Sequence, residues 1–258
     1  YISFCSGIEA ATVAWHPLGW TPLAFCEIDR FPSKVLAARY PGVPNLGDFT
    51  AVDWSQWAGK ADICVGGPPC QAFSRLRFIN PLAGLKHGNL IPEYERVISA
   101  AQPAWFLMEN VEAAPTPMVP GYIVKDQIVR DIWVGGVTDR KRRFSFGTPH
   151  GRELIIEWFA LHCEPEHSAL ASGGGRPVPV VLERDGKGGH RSKKSVLRNY
   201  GYQSRGVLAE HIRKQGLPIG FLEEAPFTVS GKVAVIGNGV PLPMGRAVAK
   251  AVKRALDL

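Results

Sequence analysis

Short apolar runs alternate with helix-like segments along the first part of the chain, and this alternation limits the fold more than any other feature. The runs are rich in β-branched and aromatic side chains, which is typical of buried strands. The segments between them carry apolar residues at helical spacing. Strands that alternate with helices in this way predict a parallel, doubly wound α/β sheet. The predicted strands cover residues 1–5, 22–27, 61–65 and 105–108, and the predicted helices cover residues 9–16, 31–40 and 93–101.

The sequence changes character near residue 150. Residues 113–121 contain three prolines and predict a loop, and residues 144–146 predict one more strand. Glycines and short apolar stretches then punctuate residues 151–221, which are predicted to form a separate small lobe. Residues 244–258 carry apolar side chains on one helical face and are predicted to pack back on the first domain. The predicted organisation is a first domain of residues 1–150 plus 222–258 and a lobe of residues 151–221.

A rigid turn comes after the third predicted strand. Residues 66–71 read Gly-Gly-Pro-Pro-Cys-Gln, so two glycines end the strand and two prolines stiffen the turn beyond it. Cys70 therefore lies at the carboxyl end of a strand, where open α/β sheets place their ligands. A thiol there is a candidate nucleophile if it is exposed and near a positive charge or a base. Cys64, inside the strand, is predicted to be a buried structural thiol.

Cysteine usage points to a reducing compartment. The five cysteines are scattered, odd in number and without a Cys-x-x-Cys pair, which predicts a cytoplasmic protein with no disulfide framework. No metal site is predicted, because His162, Cys163 and His167 lack a second Cys/His pair. No apolar run reaches the roughly 18 residues that a membrane-spanning helix needs, and no signal peptide is visible. The first residues already form a predicted strand, so we expect the natural chain to start upstream.

The charge distribution favours a polyanionic partner. The net charge is +7 and the isoelectric point is about 9.3. Basic side chains cluster at residues 140–143 and, between glycines, at residues 187–198. A basic surface of this kind is typical of nucleic-acid binding, although a solvated loop and a solvated helix face would look the same.

Three motifs in order resemble the DNA (cytosine-5)-methyltransferase family of phage or restriction-modification type. They are Pro-Pro-Cys-Gln at residues 68–71, Glu-Asn-Val at residues 109–111 and Gly-Asn-Gly-Val-Pro at residues 237–241. The resemblance implies a Rossmann-like S-adenosylmethionine-dependent methyltransferase sheet with a small target-recognition lobe. It implies methyl transfer to carbon 5 of cytosine in double-stranded DNA, through a covalent cysteine adduct on a flipped base. It also implies a monomer in the cytoplasm of a bacterial or phage-infected cell, with S-adenosylmethionine as cofactor and no membrane partner.

The turn after the first strand is a candidate cofactor loop. Residues 5–9 open a helix there, and a glycine lets the backbone approach a ligand while the helix start offers amide donors. The loop resembles the Phe-x-Gly-x-Gly motif that holds S-adenosylmethionine in the family. Cys5 stands at the aromatic position of that motif and Glu9 at its second glycine. The implied contacts in this segment are Phe4, Ser6, Gly7 and Ile8.

Two acidic residues come after the second strand at positions that suit a nucleoside. A carboxylate at a strand tip can accept both ribose hydroxyls, and Glu27 lies at such a tip. By resemblance Ile28 covers the adenine face, and Asp48 accepts from the adenine amino group beside Phe49. The family pattern usually has Ser or Ala at the position of Gly239. The remaining positions that match cofactor contacts of the family are Pro69, Leu90, Asn238 and Gly239.

The resemblance also assigns the chemistry. A Cys70 thiolate adds to carbon 6 of cytosine and makes carbon 5 enamine-like, while Glu109 supplies a proton or a strong hydrogen bond at nitrogen 3. Glu109 ends a predicted buried strand, where a charged residue is unexpected unless it is paired or functional. Carbon 5 takes the methyl group, and loss of its proton and of the thiol gives 5-methylcytosine. The implied substrate-binding positions are Gln71, Ser74 and Asn110.

The basic cluster resembles the Gln-x-Arg-x-Arg motif that holds the target base and its phosphates. Arg140 and Arg142 then match the two arginines, with Thr138 in place of the glutamine. A register shifted by one residue would instead select Lys141 and Arg143. We prefer the first register because residues 144–146 then form the next strand.

Two other functions stay open at this point. One branch of the family modifies tRNA, so the same chemistry on RNA is an alternative. A protein that kept the fold without catalysis is the other, because the first motif is altered at Cys5 and Glu9. Residues 72–89 resemble the loop that closes over the flipped base, and Gly-Leu-Pro at residues 216–218 resembles the motif that shapes the recognition lobe.

Overall fold

The computed structural model of the protein describes residues 1–69, 73, 88–158, 208–223 and 225–257. A six-stranded sheet forms the centre of this described part, with the strand order β2-β1-β3-β4-β6-β5. The strands are β1 (Ile2–Phe4), β2 (Ala24–Cys26), β3 (Ile63–Gly66), β4 (Trp105–Asn110), β5 (Ile123–Arg130) and β6 (Lys141–Thr148). The helices are α1 (Ala10–Trp15), α2 (Arg30–Arg39), α3 (Ile91–Ala101), α4 (Val229–Asn238) and α5 (Leu242–Ala255), and residues 208–214 are also helical.

The sheet is parallel in its first four strands and antiparallel in the last two. β1 pairs in parallel with β2 and β3, and β3 with β4, whereas β6 runs antiparallel to both β4 and β5. The predicted α/β class is confirmed, but the predicted parallel direction holds only up to β4. No helix intervenes between β5 and β6, since only the 3-10 turn Asp131–Val134 and a short loop connect them. A connection that short brings the chain back antiparallel.

Three elements were not predicted from the sequence, namely β5, α4 and the helical segment of residues 208–214. β5 is an edge strand in which most side chains are exposed or half-buried, so it lacks the apolar run that marked the other strands. α4 contains two glycines and a serine, which are poor helix formers. The Thr228 hydroxyl accepts a hydrogen bond from the Gly231 amide at 3.2 Å and so caps this helix at its start.

Alternate residues of the central strands enter different cores. Ile63 and Val65 pack on one face of the sheet with α1 and α5, and Cys64 packs on the other face with α3. This division results from the two-residue period of a strand. A third cluster joins Ile8 to Val35 of α2 and to buried residues of α4. The sheet is therefore covered on both faces, and its strand ends stay open for a site.

The described residues at the two ends of the predicted small lobe (residues 151–221) pack on the first domain. Leu154 and Ile156 belong to the cluster beneath α5, and Ile212 and Phe221 belong to the cluster around Ile8. Residues 159–207, which make up most of the predicted lobe, lie outside the described residues. The division of the chain into two domains therefore stays a prediction.

Candidate functional site

The loop between β1 and α1 has an unusual backbone. Cys5, Gly7 and Glu9 have φ angles of 52°, 57° and 55°, which lie in the left-handed region. The Gly7 amide donates a hydrogen bond of 2.8 Å to Oε2 of Glu27, and the Ser6 amide donates to the Cys26 carbonyl at 3.2 Å. The loop is therefore fixed against the end of β2. We call the surface formed by residues 5–9, 27–28, 45–48 and 238–239 the glycine-loop edge.

Glu27 organises this edge. Its second carboxylate oxygen, Oε1, accepts a hydrogen bond of 2.7 Å from the Asp29 amide. Asn45 brackets the Glu27 main chain, since its Oδ1 accepts from the Glu27 amide at 2.9 Å and its Nδ2 donates to the Glu27 carbonyl at 3.0 Å. Burial raises the pKa of the Glu27 carboxyl. Each carboxylate oxygen can accept about two hydrogen bonds, so Glu27 keeps capacity for hydroxyl donors of a ligand.

Ile28 and Asp48 complete the open part of the edge. Ile28 is 64% exposed, which is unusual for an apolar residue two positions after a buried strand. Oδ1 of Asp48 accepts hydrogen bonds from the amide and the hydroxyl of Thr50 at 2.9 and 2.8 Å. An exposed apolar side chain on the same edge as two carboxylates suits a ligand with one flat apolar face and several hydrogen-bond donors.

Three predicted cofactor contacts lie in the core instead of on this edge. Phe4, Ile8 and Phe49 are each less than 5% exposed. The Phe4 ring packs against the rings of Phe49 and Trp54 at centroid distances of 5.8 and 4.9 Å. The structure thus gives these side chains a packing role beneath the edge, and direct ligand contact by them stays a prediction. Burial also raises the pKa of the Cys5 thiol to about 12, so this neighbouring cysteine is a poor nucleophile.

The last motif of the chain meets the first one. Asn238 is the exposed final residue of α4, and Gly239 comes next with its amide bonded to the Ile236 carbonyl at 3.1 Å. A Cβ atom on Gly239 would lie 3.7 Å from the Ile8 side chain, so the two segments are in contact distance. The φ of Gly239 is −73°, which any residue can adopt. The structure therefore brings together two predicted cofactor segments that are about 230 residues apart in sequence.

Gln215 is a supporting residue that the sequence analysis missed. Its side chain is buried, and Nε2 donates hydrogen bonds to the carbonyls of Ile236 and Gly239 at 2.6 and 3.2 Å. Its own carbonyl accepts from the Leu242 amide at 2.8 Å. Gln215 thus fixes the turn between α4 and α5. Its position directly before Gly-Leu-Pro at residues 216–218 was the one signal in the sequence that could have identified it.

A second group of predicted residues meets where β3, β4 and β6 lie side by side. Nε of Arg142 lies 2.7 Å from Oε1 of Glu109, and both side chains are largely buried. A Cβ atom on Gly67 would lie 3.0 Å from Oε2 of Glu109, and Nδ2 of Asn110 donates to the Pro68 carbonyl at 3.2 Å. We call residues 67–69, 109–110 and 142 the ion-pair edge. The predicted positions Cys70, Gln71 and Ser74 lie outside the described residues.

The remaining predicted positions lie at the ends of described segments. Pro69 is half-buried and is the last described residue before Cys70. Leu90 precedes α3, whose first amide, from Ile91, donates to Oδ1 of Asn89 at 3.0 Å. No hydrogen bond joins either residue to the glycine-loop edge within the described ranges, so cofactor contact by Pro69 and Leu90 stays a prediction.

Successive side chains of β6 point to opposite sides of the sheet, so the two possible motif alignments of the basic cluster place their arginines on different sides. Arg142 faces Glu109, whereas Arg143 donates to the carbonyls of Glu112 and Ala114 on the opposite side. Lys141 pairs with Glu112 at 2.8 Å on that same side. Of the two registers considered, the one containing Arg142 therefore reaches the ion-pair edge. Its role towards a base stays a prediction.

Arg140 takes a position that the sequence did not indicate. Its side chain is 7% exposed, and Nη1 donates a hydrogen bond of 3.2 Å to the Gly237 carbonyl. One described contact of Arg140 is therefore with the segment that leads to Asn238 and Gly239. Binding of the target base by Arg140 stays a prediction.

Thr138, in the place of the family's glutamine, holds the turn before β6. Oδ2 of the buried Asp131 accepts hydrogen bonds from the Thr138 amide at 3.1 Å and from its hydroxyl at 2.6 Å. The Asp131 amide in turn donates to the Arg140 carbonyl at 2.9 Å. Burial raises the pKa of the Asp131 carboxyl. Thr138 thus serves the geometry of the turn and does not point to the ion-pair edge.

Within residues 1–69, 73, 88–158, 208–223 and 225–257, no group of three or more His, Cys, Asp or Glu side chains could hold a metal ion. No helix in these same ranges is long and apolar enough to cross a membrane.

Comparison with known proteins gives a family match over the first part of the chain. Residues 1–118 match the family model of the C-5 cytosine-specific DNA methylase. A DNA N-6-adenine-methyltransferase of Escherichia phage P1 is 52% identical over 91 residues, which cover 34% of this chain and 11% of that protein. The type II methyltransferase M.HgiDI of Herpetosiphon aurantiacus is 37% identical over 101 residues, which cover 35% of this chain and 32% of that protein. The chain thus spans at most about a third of the length of these two relatives.

Solved structures share the fold along nearly the whole chain. The DNMT2 E260A/E261A/K263A mutant of Spodoptera frugiperda superposes with a TM-score of 0.67 at 14% identity, covering 99% of both chains. A putative DNA modification methyltransferase encoded within an Escherichia coli prophage superposes with a TM-score of 0.64 at 16% identity, covering 100% of this chain and 99% of that one. At these identities the comparison establishes the fold of the chain.

Proposed function

We propose, from the premise that residues 1–118 carry a C-5 cytosine-specific DNA methylase domain, that the protein transfers a methyl group from S-adenosylmethionine to carbon 5 of cytosine in double-stranded DNA. One observation carries this proposal. The Glu109 carboxylate lies against Gly67, three residues before Cys70, and is held there by Arg142. A carboxylate and a thiol at adjacent strand ends are the pair that activation of cytosine requires.

The glycine-loop edge fits S-adenosylmethionine. When bound, this cofactor supplies an electrophilic methyl group on its sulfonium. Glu27 would accept from the ribose hydroxyls, and Asp48 would accept from the adenine amino group. Ile28 would cover one face of the adenine, which explains its exposure after a buried strand. Asn238 and Gly239 would line the opposite side of the cofactor.

The ion-pair edge fits the cytosine. The Cys70 thiolate forms a bond to carbon 6, and the electron pair of the 5,6 double bond moves towards carbon 5 and the nitrogen 3 side of the ring. Glu109 holds a proton at nitrogen 3 as charge builds there. Carbon 5 accepts the methyl group, its proton then leaves to a base, and the carbon–sulfur bond breaks to release the thiolate. Asn110 supports this geometry because it anchors the Pro68 carbonyl of the turn that leads to Cys70.

The cytosine must leave the duplex to reach this edge. Extrusion of a base costs a few kcal/mol, which contacts with the protein have to offset. The net charge of +7 supports attraction to the DNA backbone. Sequence recognition would come from residues 151–221, which we propose as the target-recognition lobe.

Adenine methylation is a second candidate, because the phage P1 relative is 52% identical and is named as an N-6-adenine enzyme. That similarity covers 11% of the relative, so the name describes a protein that is mostly unlike this chain. Transfer to an exocyclic amine needs no covalent bond to a thiol. The Pro-Pro-Cys turn and the Glu109–Arg142 pair would then have no chemical use, which is why we favour cytosine.

A trapping experiment tests the proposal. The protein is incubated with S-adenosylmethionine and a pool of DNA duplexes that contain 5-fluorocytosine, and Cys70→Ala is the matched control. Fluorine at carbon 5 cannot be eliminated, so a working enzyme stalls as a covalent complex that survives denaturation. We expect the complex to map to Cys70 and to be absent from the variant.

The other outcomes separate the alternatives. Methylated adenine in normal duplexes, without trapping, would replace the proposal with the N-6-adenine reaction. Trapping on fluorocytosine RNA but not on DNA would move the same chemistry to RNA. Binding of S-adenosylmethionine without any methylated product would leave a relative that kept the fold without catalysis.

A further inference from the structure

Glu9 occupies a backbone position that normally selects glycine. It has φ 55° and ψ 53°, a left-handed conformation that disfavours residues with a Cβ atom. It also stands where the resembling motif has its second glycine. A glutamate that takes the place of a glycine in a cofactor loop would be expected either to distort the loop or to obstruct the ligand.

The side chain of Glu9 neither distorts the loop nor obstructs the ligand site, because it points into the protein interior. It is 1% exposed, and its Oε2 accepts a hydrogen bond of 2.8 Å from the Ser3 hydroxyl in β1. Its Oε1 accepts from the amide and the hydroxyl of Thr12 in α1, both at 3.2 Å. The Tyr1 hydroxyl lies 2.5 Å from the Thr12 hydroxyl and extends the network. Both carboxylate oxygens of Glu9 are thus used inside the protein.

The main chain of Glu9 controls the orientation of the loop. Its amide donates to the Ser6 carbonyl at 2.9 Å, which closes a turn around Gly7. The Gly7 amide is the group that donates to Glu27, the predicted ribose-binding residue. Any change in the conformation of Glu9 is therefore transmitted to the contact between Gly7 and Glu27.

We propose that Glu9 is a positioning residue of the cofactor loop, whose anchored carboxylate holds the left-handed turn that glycine adopts without help. The inference rests on the proposed function, since it concerns the affinity for S-adenosylmethionine. Glu9 does not contact the cofactor, and its effect passes through the Ser6–Gly7 backbone to Glu27. The altered motif thus retains binding instead of marking its loss.

Three substitutions at one position test this mechanism. Glu9→Gln keeps the length and can still accept from Thr12, and Glu9→Gly adopts the left-handed conformation without an anchor. Glu9→Ala has neither property. We expect the dissociation constant of S-adenosylmethionine, measured by calorimetry without nucleic acid, to stay within about threefold of the unsubstituted protein for Gln and Gly. For Ala we expect the dissociation constant to rise roughly tenfold. This corresponds to the free-energy cost of holding a residue with a Cβ atom in the left-handed conformation.

A control variant separates positioning from stability. Asp53→Ala removes another cap, since Oδ1 of Asp53 accepts from the Ser55 amide at 3.1 Å far along the chain from the loop. It should lower the melting temperature and leave the cofactor dissociation constant unchanged. Equal binding by the Ala variant of Glu9 would reduce Glu9 to an ordinary helix cap and overturn the inference. Equal weakening by Ala and Gly would overturn it as well, because the side chain itself would then be needed.

The proposed function fails in a different way from the inference. If the unsubstituted protein does not bind S-adenosylmethionine at all, the cofactor assignment is wrong and the inference falls with it. If the unsubstituted protein binds S-adenosylmethionine and all three Glu9 variants have the same dissociation constant, only the positioning role is wrong.

Discussion

The two edges of the candidate site are built from different kinds of contact. At the glycine-loop edge, carboxylates and amide side chains bind main-chain groups, as Glu27 does with Gly7 and Asn45 does with Glu27. At the ion-pair edge, the central contact joins two charged side chains, Glu109 and Arg142. Main-chain contacts tolerate changes of residue type as long as the backbone conformation is kept. A contact between charged side chains depends on the identity of both residues, so we expect the two edges to respond differently to substitution.

The largest effect is expected at the ion-pair edge, from Cys70→Ala. Loss of the nucleophile should reduce methyl transfer to duplex DNA by roughly a thousandfold or more, while S-adenosylmethionine binding at the other edge stays within about twofold. Transfer of a labelled methyl group and calorimetry measure the two quantities. Full activity in this variant would contradict the covalent mechanism, and loss of both functions would contradict the independence of the two edges.

Glu109→Gln tests the ion pair itself. The amide keeps the shape but cannot hold a proton at nitrogen 3 in the same way, so we expect covalent trapping on fluorocytosine DNA to slow by roughly 10²–10⁴-fold. The matched control is Glu112→Gln, because Glu112 also pairs with a basic residue of β6, Lys141, at 2.8 Å, but on the other side of the strand. Activity of this control should stay within about twofold. Equal losses of activity in both variants would show that any carboxylate paired with β6 has this effect, and that the position of Glu109 is not special.

At the glycine-loop edge, the anchored carboxyl of Glu9 should make the stability of the protein depend on pH. Burial raises the pKa of the Glu9 carboxyl from 4.5 to about 7, so the folded protein binds more protons than the unfolded chain between these values. Stability should therefore fall as the pH rises from about 4.5 to about 7 and should not change further above that range on account of Glu9. Glu9→Gln removes this contribution, which is on the order of 3 kcal/mol at most.

The measurement is urea unfolding of both proteins at several pH values, read as the difference between them. The buried acid Asp131 also has a raised pKa, but it remains in both proteins and its contribution cancels in the difference. A difference that does not vary with pH would mean that Glu9 is not the titrating group.

The smallest effect is expected from Gly239→Ala at the glycine-loop edge. The φ of −73° suits alanine, and a Cβ atom there meets its nearest neighbour at 3.4 Å. The free energy of unfolding should change by less than about 1 kcal/mol, and the cofactor dissociation constant by less than about threefold. Gly136→Ala is the contrasting variant, because its Cβ atom would lie 2.0 Å from Oδ1 of Asp131, and we expect it to fold poorly. Strong loss of cofactor binding in Gly239→Ala would mean that the cofactor comes closer to this residue than we propose.

The fold was predictable where buried elements appear in the sequence as apolar runs. The first four strands are apolar runs between turns, and all four were placed within about two residues of their observed positions. β5 escaped prediction because it lies at the sheet edge and most of its side chains are exposed or half-buried, so it lacks a continuous apolar run. Its neighbour β6 was recognised only in part, from the residues Phe144 and Phe146, which enter a core.

For the candidate site, the sequence predicted which positions take part better than it predicted which side chains contact each other. The sequence identified Glu109 and Arg142 separately, but their pairing across two antiparallel strands depends on a register that only the structure supplies. The motif assigned Arg140 to the base, which stays a prediction, and it gave no indication of the hydrogen bond between Arg140 and the Gly237 carbonyl. Gln215 was missed because a glutamine gives no sign in the sequence that it is buried.

The packing of α5 on residues near the beginning of the chain has a consequence for how the chain is made. Trp15 and other residues near the beginning pack against Leu242, Val248 and Val252 of α5, so the core of the first strands is finished by residues that leave the ribosome more than 200 positions later. Until then those apolar side chains lack the partners that α5 supplies and are prone to aggregation. Contacts so distant in sequence also slow the closing step of folding. We therefore expect the nascent chain to depend on protection by chaperones until α5 has emerged.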